Sequence, residues 1–173
     1  MRRITATLVI ALVGLVGSAV PVAASVDRPS PGIEVNGAFQ GTGTWTFDAE
    51  TCGFVHQLFT GTYTLGRHGL PGGTYDLDVC VATPDGGPVD RYPINGTFVV
   101  TLGHHVTLRG TVSGAGLVNG TLIPGLDLTL TVTTSSGTHR PARGTIIATG
   151  TTDQNSPPTT VETGTFTSHL HFA

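Results

Sequence analysis

The chain has 173 residues, a net charge of −3, two cysteines, seven histidines and no lysine. Eight arginines against eleven acidic residues argue against a nucleic-acid partner and against a polybasic membrane footprint, because both need clustered positive charge to displace counterions from phosphates. The size suits one domain with a substantial core.

Met1-Arg2-Arg3 is a short positive segment, and Leu8 to Val20 is an uncharged apolar run that Pro21 ends. Val22-Ala23-Ala24 supplies residues suited to the −3 and −1 positions of a signal peptidase site, which places the cut between Ala24 and Ser25. A retained membrane anchor is the alternative, but the run is shorter than the roughly 20 apolar residues a spanning helix needs. Residues 1–24 therefore read as a secretory leader, 25–32 as a flexible N-terminal segment and 33–173 as one all-β domain. Cleavage leaves no stable membrane anchor, and the expected location is extracellular.

The most informative pattern after the leader is a tripeptide of Gly, Thr and an apolar residue. Its eight copies begin at Gly43, Gly61, Gly73, Gly96, Gly110, Gly120, Gly144 and Gly164. Their spacing is too irregular for a solenoid and fits strands joined by loops of varied length. Along residues 33–48 the odd positions include Ile33, Val35, Phe39, Trp45 and Phe47, whereas the even ones include Glu34, Asn36, Gln40, Thr42 and Thr44. Alternation with period two puts these sets on opposite faces of a strand. Thr on the wet face favours extended backbone and keeps its hydroxyl solvated. Gly on the dry face leaves bare backbone for large neighbours to pack over, a need that arises in a small closed barrel.

The map that follows predicts strands near 33–48, 54–65, 73–82, 94–102, 105–112, 117–123, 126–134, 143–151 and 161–172. That makes nine, or eight if 117–134 is one strand bent at Pro124-Gly125. Breakers mark the connections, among them Ser113-Gly114-Ala115-Gly116 and Pro84-Asp85-Gly86-Gly87-Pro88. The expected architecture is an antiparallel barrel of eight or nine strands, up-and-down or Greek-key, with a two-sheet β-sandwich as the alternative.

Cys52 and Cys80 form an even pair in an exported chain, so a disulfide is expected, worth roughly 3 to 4 kcal/mol on the chain-entropy argument. A hairpin centred near residue 69 would place Cys80 opposite Leu58, about 20 Å along the strand from Cys52, so the bridge requires a fold-back or another register.

Gly43-Thr44-Trp45, Thr60-Gly61-Thr62-Tyr63 and Gly73-Thr74-Tyr75 resemble the early strands of avidin-type barrels, which hold biotin against several tryptophans. The resemblance spans about the first third of the mature domain. With one Trp in the chain, it implies an architecture and does not carry the biotin pocket over.

Chemistry is sparse in the sequence. Asp76 and Asp78 share a face, as do His169 and His171, but both pairs fall on the wet face, where solvated side chains are the simpler reading. The nucleophile elbow, the H-E-x-x-H zinc motif, the phosphate loop and the dinucleotide fingerprint are all absent. No cofactor is expected. The first functional expectation is a non-enzymatic extracellular or cell-envelope protein that meets a protein partner through its outer face or the loops at 83–93, 134–142 and 152–160. The second is a barrel whose lumen takes a small apolar ligand, with Trp45, Tyr63 and Tyr75 as wall residues. The third is a hydrolase using Asp76 and Asp78, or a metal held by His169 and His171.

Overall fold

The computed structural model describes residues 32–66, 69–83, 90–103, 105–119, 122–156 and 159–172. The leader, the Ala24–Ser25 cleavage site, residues 25–31 and positions 104 and 120–121 are among those that lie outside them.

Eight strands run in chain order: β1 Ile33–Asp48, β2 Phe54–Leu65, β3 Leu70–Val81, β4 Arg91–Leu102, β5 Val106–Asn119, β6 Leu122–Ser136, β7 Ala142–Ser156 and β8 Thr159–Phe172. Each pairs antiparallel with its sequence neighbour, and β8 closes on β1, so the sheet is a closed up-and-down barrel. Closure removes both sheet edges. The sandwich and Greek-key alternatives are thereby set aside, as is the ninth strand.

The ninth strand came from reading small residues as breaks. β5 runs straight through Ser113-Gly114-Ala115-Gly116, and Pro124-Gly125 lie inside β6. Gly114 pairs with Leu128, and a Cβ there would strike the Asp127 carbonyl, so glycine answers close strand approach at this point. Pro124 falls where the β5–β6 ladder is irregular, between Leu117 and Asn119, which is where a residue without an N–H is tolerated.

Alternation decides which face is inside. Leu126, Leu128, Leu130 and Val132 are buried, and so are Val55, Phe59, Tyr63, Tyr75, Leu77 and Val79. Trp45 and Phe166 pack against this core, while Thr44 and Thr165 are exposed. Apolar groups inside and hydroxyls outside is the reverse of the alternation in a membrane-spanning barrel, whose outer band is apolar. No helix among the described residues is long and apolar enough to cross a membrane.

Cys52 and Cys80 are bonded, with Cα atoms 4.8 Å apart. The register differs from the one expected: Cys80 lies opposite His56, and Leu58 opposite Asp78. Leu65 pairs with Leu70, so the hairpin is centred before residue 69, and the shift between Tyr63 and Thr64, where Gly72 is the extra residue, returns the register by only one position. The β1–β2 turn supplies the fold-back, since the Cys52 N–H donates to the Asp48 carbonyl and the Thr51 N–H to Asp48 Oδ1, each at 3.0 Å. Gly53, at φ +78°, completes it in a conformation that glycine adopts without penalty.

Candidate functional site: a buried acid in an apolar lumen

The glycine positions acquire their purpose in the barrel interior, where aromatic rings from one strand lie across glycines of the next. Phe39 covers Gly164 and Gly150, Phe166 covers Gly37, and Tyr63 covers Gly72. Tyr63 and Phe166 meet edge-on at 5.7 Å, and Phe39 and Tyr75 at 5.9 Å. The rings need this space because a small barrel has little room for side chains that point at its axis.

One row carries more than packing. Glu162 on β8 is opposite Gly41 on β1, Gly41 is opposite Gly61 on β2, and Gly61 is opposite Tyr75 on β3. The Tyr75 ring crosses Gly61, and its hydroxyl reaches past Gly41. That hydroxyl donates to Glu162 Oε1 at 2.5 Å. Side chains on either glycine would block the path, since a Cβ on Gly61 would stand 2.6 Å from two Tyr75 ring carbons.

Glu162 is 0 % exposed, and its Oε2 has no hydrogen-bond partner. Burial in this apolar setting pushes its carboxyl up to about 7, against a smaller downward pull from the Tyr75 hydrogen bond. Burial likewise raises the Tyr75 phenol, with further upward contributions from the Glu162 charge and hydrogen bond. Tyr63 is pushed up to about 12 by burial alone. Thr160, two residues from Glu162 on the same inward face, is also buried with an unpartnered hydroxyl.

A cavity of about 130 Å³ adjoins this acid. All eight strands contribute to its lining, among them Phe39, Tyr63, Leu108, Leu128, Ile146 and Phe166. It extends to the end of the barrel where Val35, Leu65, Leu102 and Leu170 are only half-buried. Polar atoms are rare on its walls and mostly engaged: the Tyr63 hydroxyl donates to the Thr101 carbonyl and the Ser168 hydroxyl to the Val35 carbonyl, both at 3.1 Å.

Of the three aromatics that the sequence marks as wall candidates, Tyr63 and Tyr75 line this cavity and Trp45 does not. Trp45 lies further along β1, opposite Gln57. There it meets Phe47 edge-on at 5.2 Å, and Phe47, 71 % exposed, leads on to Phe54 and Tyr92. Glu162 went unmarked in the sequence, although its parity was readable: it is in phase with Gly164, Phe166, Ser168 and Leu170. Extending that alternation two residues earlier puts a carboxyl inside.

The remaining candidates stay outside the lumen and apart from it. Asp76 and Asp78 are exposed in a shallow outer groove with Thr42, Thr60 and Thr97, and Asp78 Oδ1 is 2.7 Å from His56 Nε2. His169 and His171 are exposed, and His169 Nδ1 lies 3.8 Å from Glu34. Among the described residues no group of three or more His, Cys, Asp and Glu side chains gathers in a way that could hold a metal.

No family model, curated protein or solved structure matches this chain. The interior itself is therefore the ground for any functional reading.

Proposed function

We propose that this is an exported binding protein whose lumen holds a small, largely apolar molecule. The observation that carries the reading is the cavity beside Glu162, because a barrel built only for stability would close it. Interiors pack at near-crystalline density, and a void of this size costs the fold the contacts its lining lacks. Its volume is close to that of an engineered cavity of about 150 Å³, lined by Leu, Ile and Phe, that stays dry and takes up benzene. Export is supported by the leader-like N-terminus and by the Cys52–Cys80 bond, which suits an oxidising compartment.

Titration calorimetry and thermal unfolding with toluene test this. Saturable binding at one site and a rise in Tm are expected, and both should vanish in Ala148→Leu, which places a larger side chain on the cavity wall. A wild-type protein indifferent to toluene would end the proposal.

A second reading, engagement of an extracellular protein partner, is supported by the exposed Phe47 beside Trp45, Phe54 and Tyr92. Phe47→Ser should then abolish recovery of a partner from the surrounding medium without altering toluene binding. Equal recovery by both forms would contradict it.

A further inference from the structure

The ligand class follows from which hydrogen-bonding capacity the lumen has left over. Among the described inward positions, Glu162 is the only Asp, Glu, Arg, Lys or His; the other ionisable groups there are Tyr63, Tyr75 and Tyr92. The hydroxyls on the cavity wall have given their hydrogens away: Tyr63 to Thr101, Tyr75 to Glu162 and Ser168 to Val35. Glu162 Oε2 is left fully buried and without a partner. The cavity wall thus offers a spare oxygen, an anionic acceptor once Glu162 is ionised, and no hydroxyl donor that is not already engaged; the unpartnered Thr160 hydroxyl is not part of that wall.

Leaving such an oxygen unmatched costs more than an ordinary hydrogen bond returns, and burying its charge without a counter-ion costs more again. A ligand carboxylate would find no positive charge, and a ligand carbonyl would find a donor only while Glu162 is protonated. A neutral hydrocarbon would leave the acid as it stands. A ligand with N–H donors and a positive charge answers both deficits, since charge-assisted hydrogen bonds are the strong ones. The surrounding walls require the rest of that ligand to be apolar, and the cavity limits it to roughly the size of one benzene ring.

Building on the binding reading above, we propose that the lumen takes a small protonated amine with an apolar body, its ammonium held by Glu162 Oε2 and its hydrocarbon part in the cavity. Tyr75 acts as a positioning residue. Its ring and hydroxyl fix the carboxyl from the opposite wall, leaving Oε2 as the oxygen available to the ligand. The raised carboxyl pKa is consistent with an acid that lacks its counter-ion, and amine binding would return it to the ionised form.

Calorimetry with benzylamine and toluene, on the wild type and on Glu162→Gln, separates the two levels of the argument. At pH 8 the wild type should bind benzylamine at least tenfold tighter than toluene, each tenfold being about 1.4 kcal/mol. Glu162→Gln keeps the shape of the side chain and removes its charge. It should lose benzylamine affinity by about a hundredfold, far more than any change in its affinity for toluene. On the wild type, benzylamine affinity should rise by up to about tenfold per pH unit from pH 5 towards 7, as the proton leaves Glu162, with toluene unaffected.

Equal affinity for the two ligands, or benzylamine affinity that survives Glu162→Gln, would overturn the amine assignment and leave an apolar pocket. Failure of both ligands to bind the wild type would overturn the pocket itself. If Glu162→Gln does not fold, the wild-type pH series decides: a flat benzylamine profile contradicts the role of Glu162.

Discussion

Gly61 shows how one missing side chain serves a site two strands away. A methyl group there would stand 2.6 Å from the Tyr75 ring and would also meet the Gln40 carbonyl, so the ring must move or the strands must part. Gly61→Ala should therefore destabilise the barrel by about 2 kcal/mol, the usual cost of overpacking, measured by chemical denaturation. It should also release the Tyr75–Glu162 bond, so that any bound amine is weakened more than toluene. Glu162 makes a separate prediction through linkage. Its carboxyl holds a proton up to about 7 in the folded chain, whereas the unfolded chain releases it near the ordinary carboxylate value. Between those values the native state binds more protons, so stability must fall as pH rises through this window. The loss should be on the order of 3 kcal/mol, and Glu162→Gln should remove this part of the pH slope. A slope unchanged by the substitution would contradict the assignment. Thr160 is the complementary case: Val has nearly the same shape and no orphaned hydroxyl, so Thr160→Val should raise stability by about 1 kcal/mol.

At the scale of elements, the alternation along each strand was legible because it is local. β1 and β2 fall at 33–48 and 54–65, the bounds the pattern indicates, because alternation holds along most of each, with Gln57 inside and Leu58 outside as exceptions. β5 and β6 were harder. Ser, Gly and Ala at 113–116 read as a turn when taken alone, and only the partner strand reveals that glycine is needed for close approach to Asp127 and Leu128. The position of Cys80 against β2 depends on the irregularity beside Tyr63, which is a property of two strands together. Glu162 lies between these cases. Its inward phase could be read from β8, but the cavity beside it, the reach of Tyr75 and the engagement of the hydroxyls on the cavity wall are products of closure. The disulfide belongs to this scale as well, tying the β1–β2 turn to β3. Replacing Cys52 and Cys80 by Ser should cost about 3 kcal/mol, seen as a lower denaturation midpoint, with ligand affinity preserved because the bridge lies away from the cavity.

For the whole molecule, the central claim is that a closed eight-stranded barrel has kept an open apolar space around one unsatisfied acid. The outer face, rich in threonine and bearing Asp76, Asp78, His169 and His171, keeps the protein solvated. The inner face holds features whose maintenance costs stability, and such features are expected where function resides. Nuclear Overhauser spectroscopy on the protein with toluene added tests the claim most directly. Contacts from the toluene protons to the methyl groups of Leu128, Leu130 and Ile146, and to the ring of Phe39, are expected. Contacts confined to outward groups such as Leu58 or Ile147, or none at all, would contradict it.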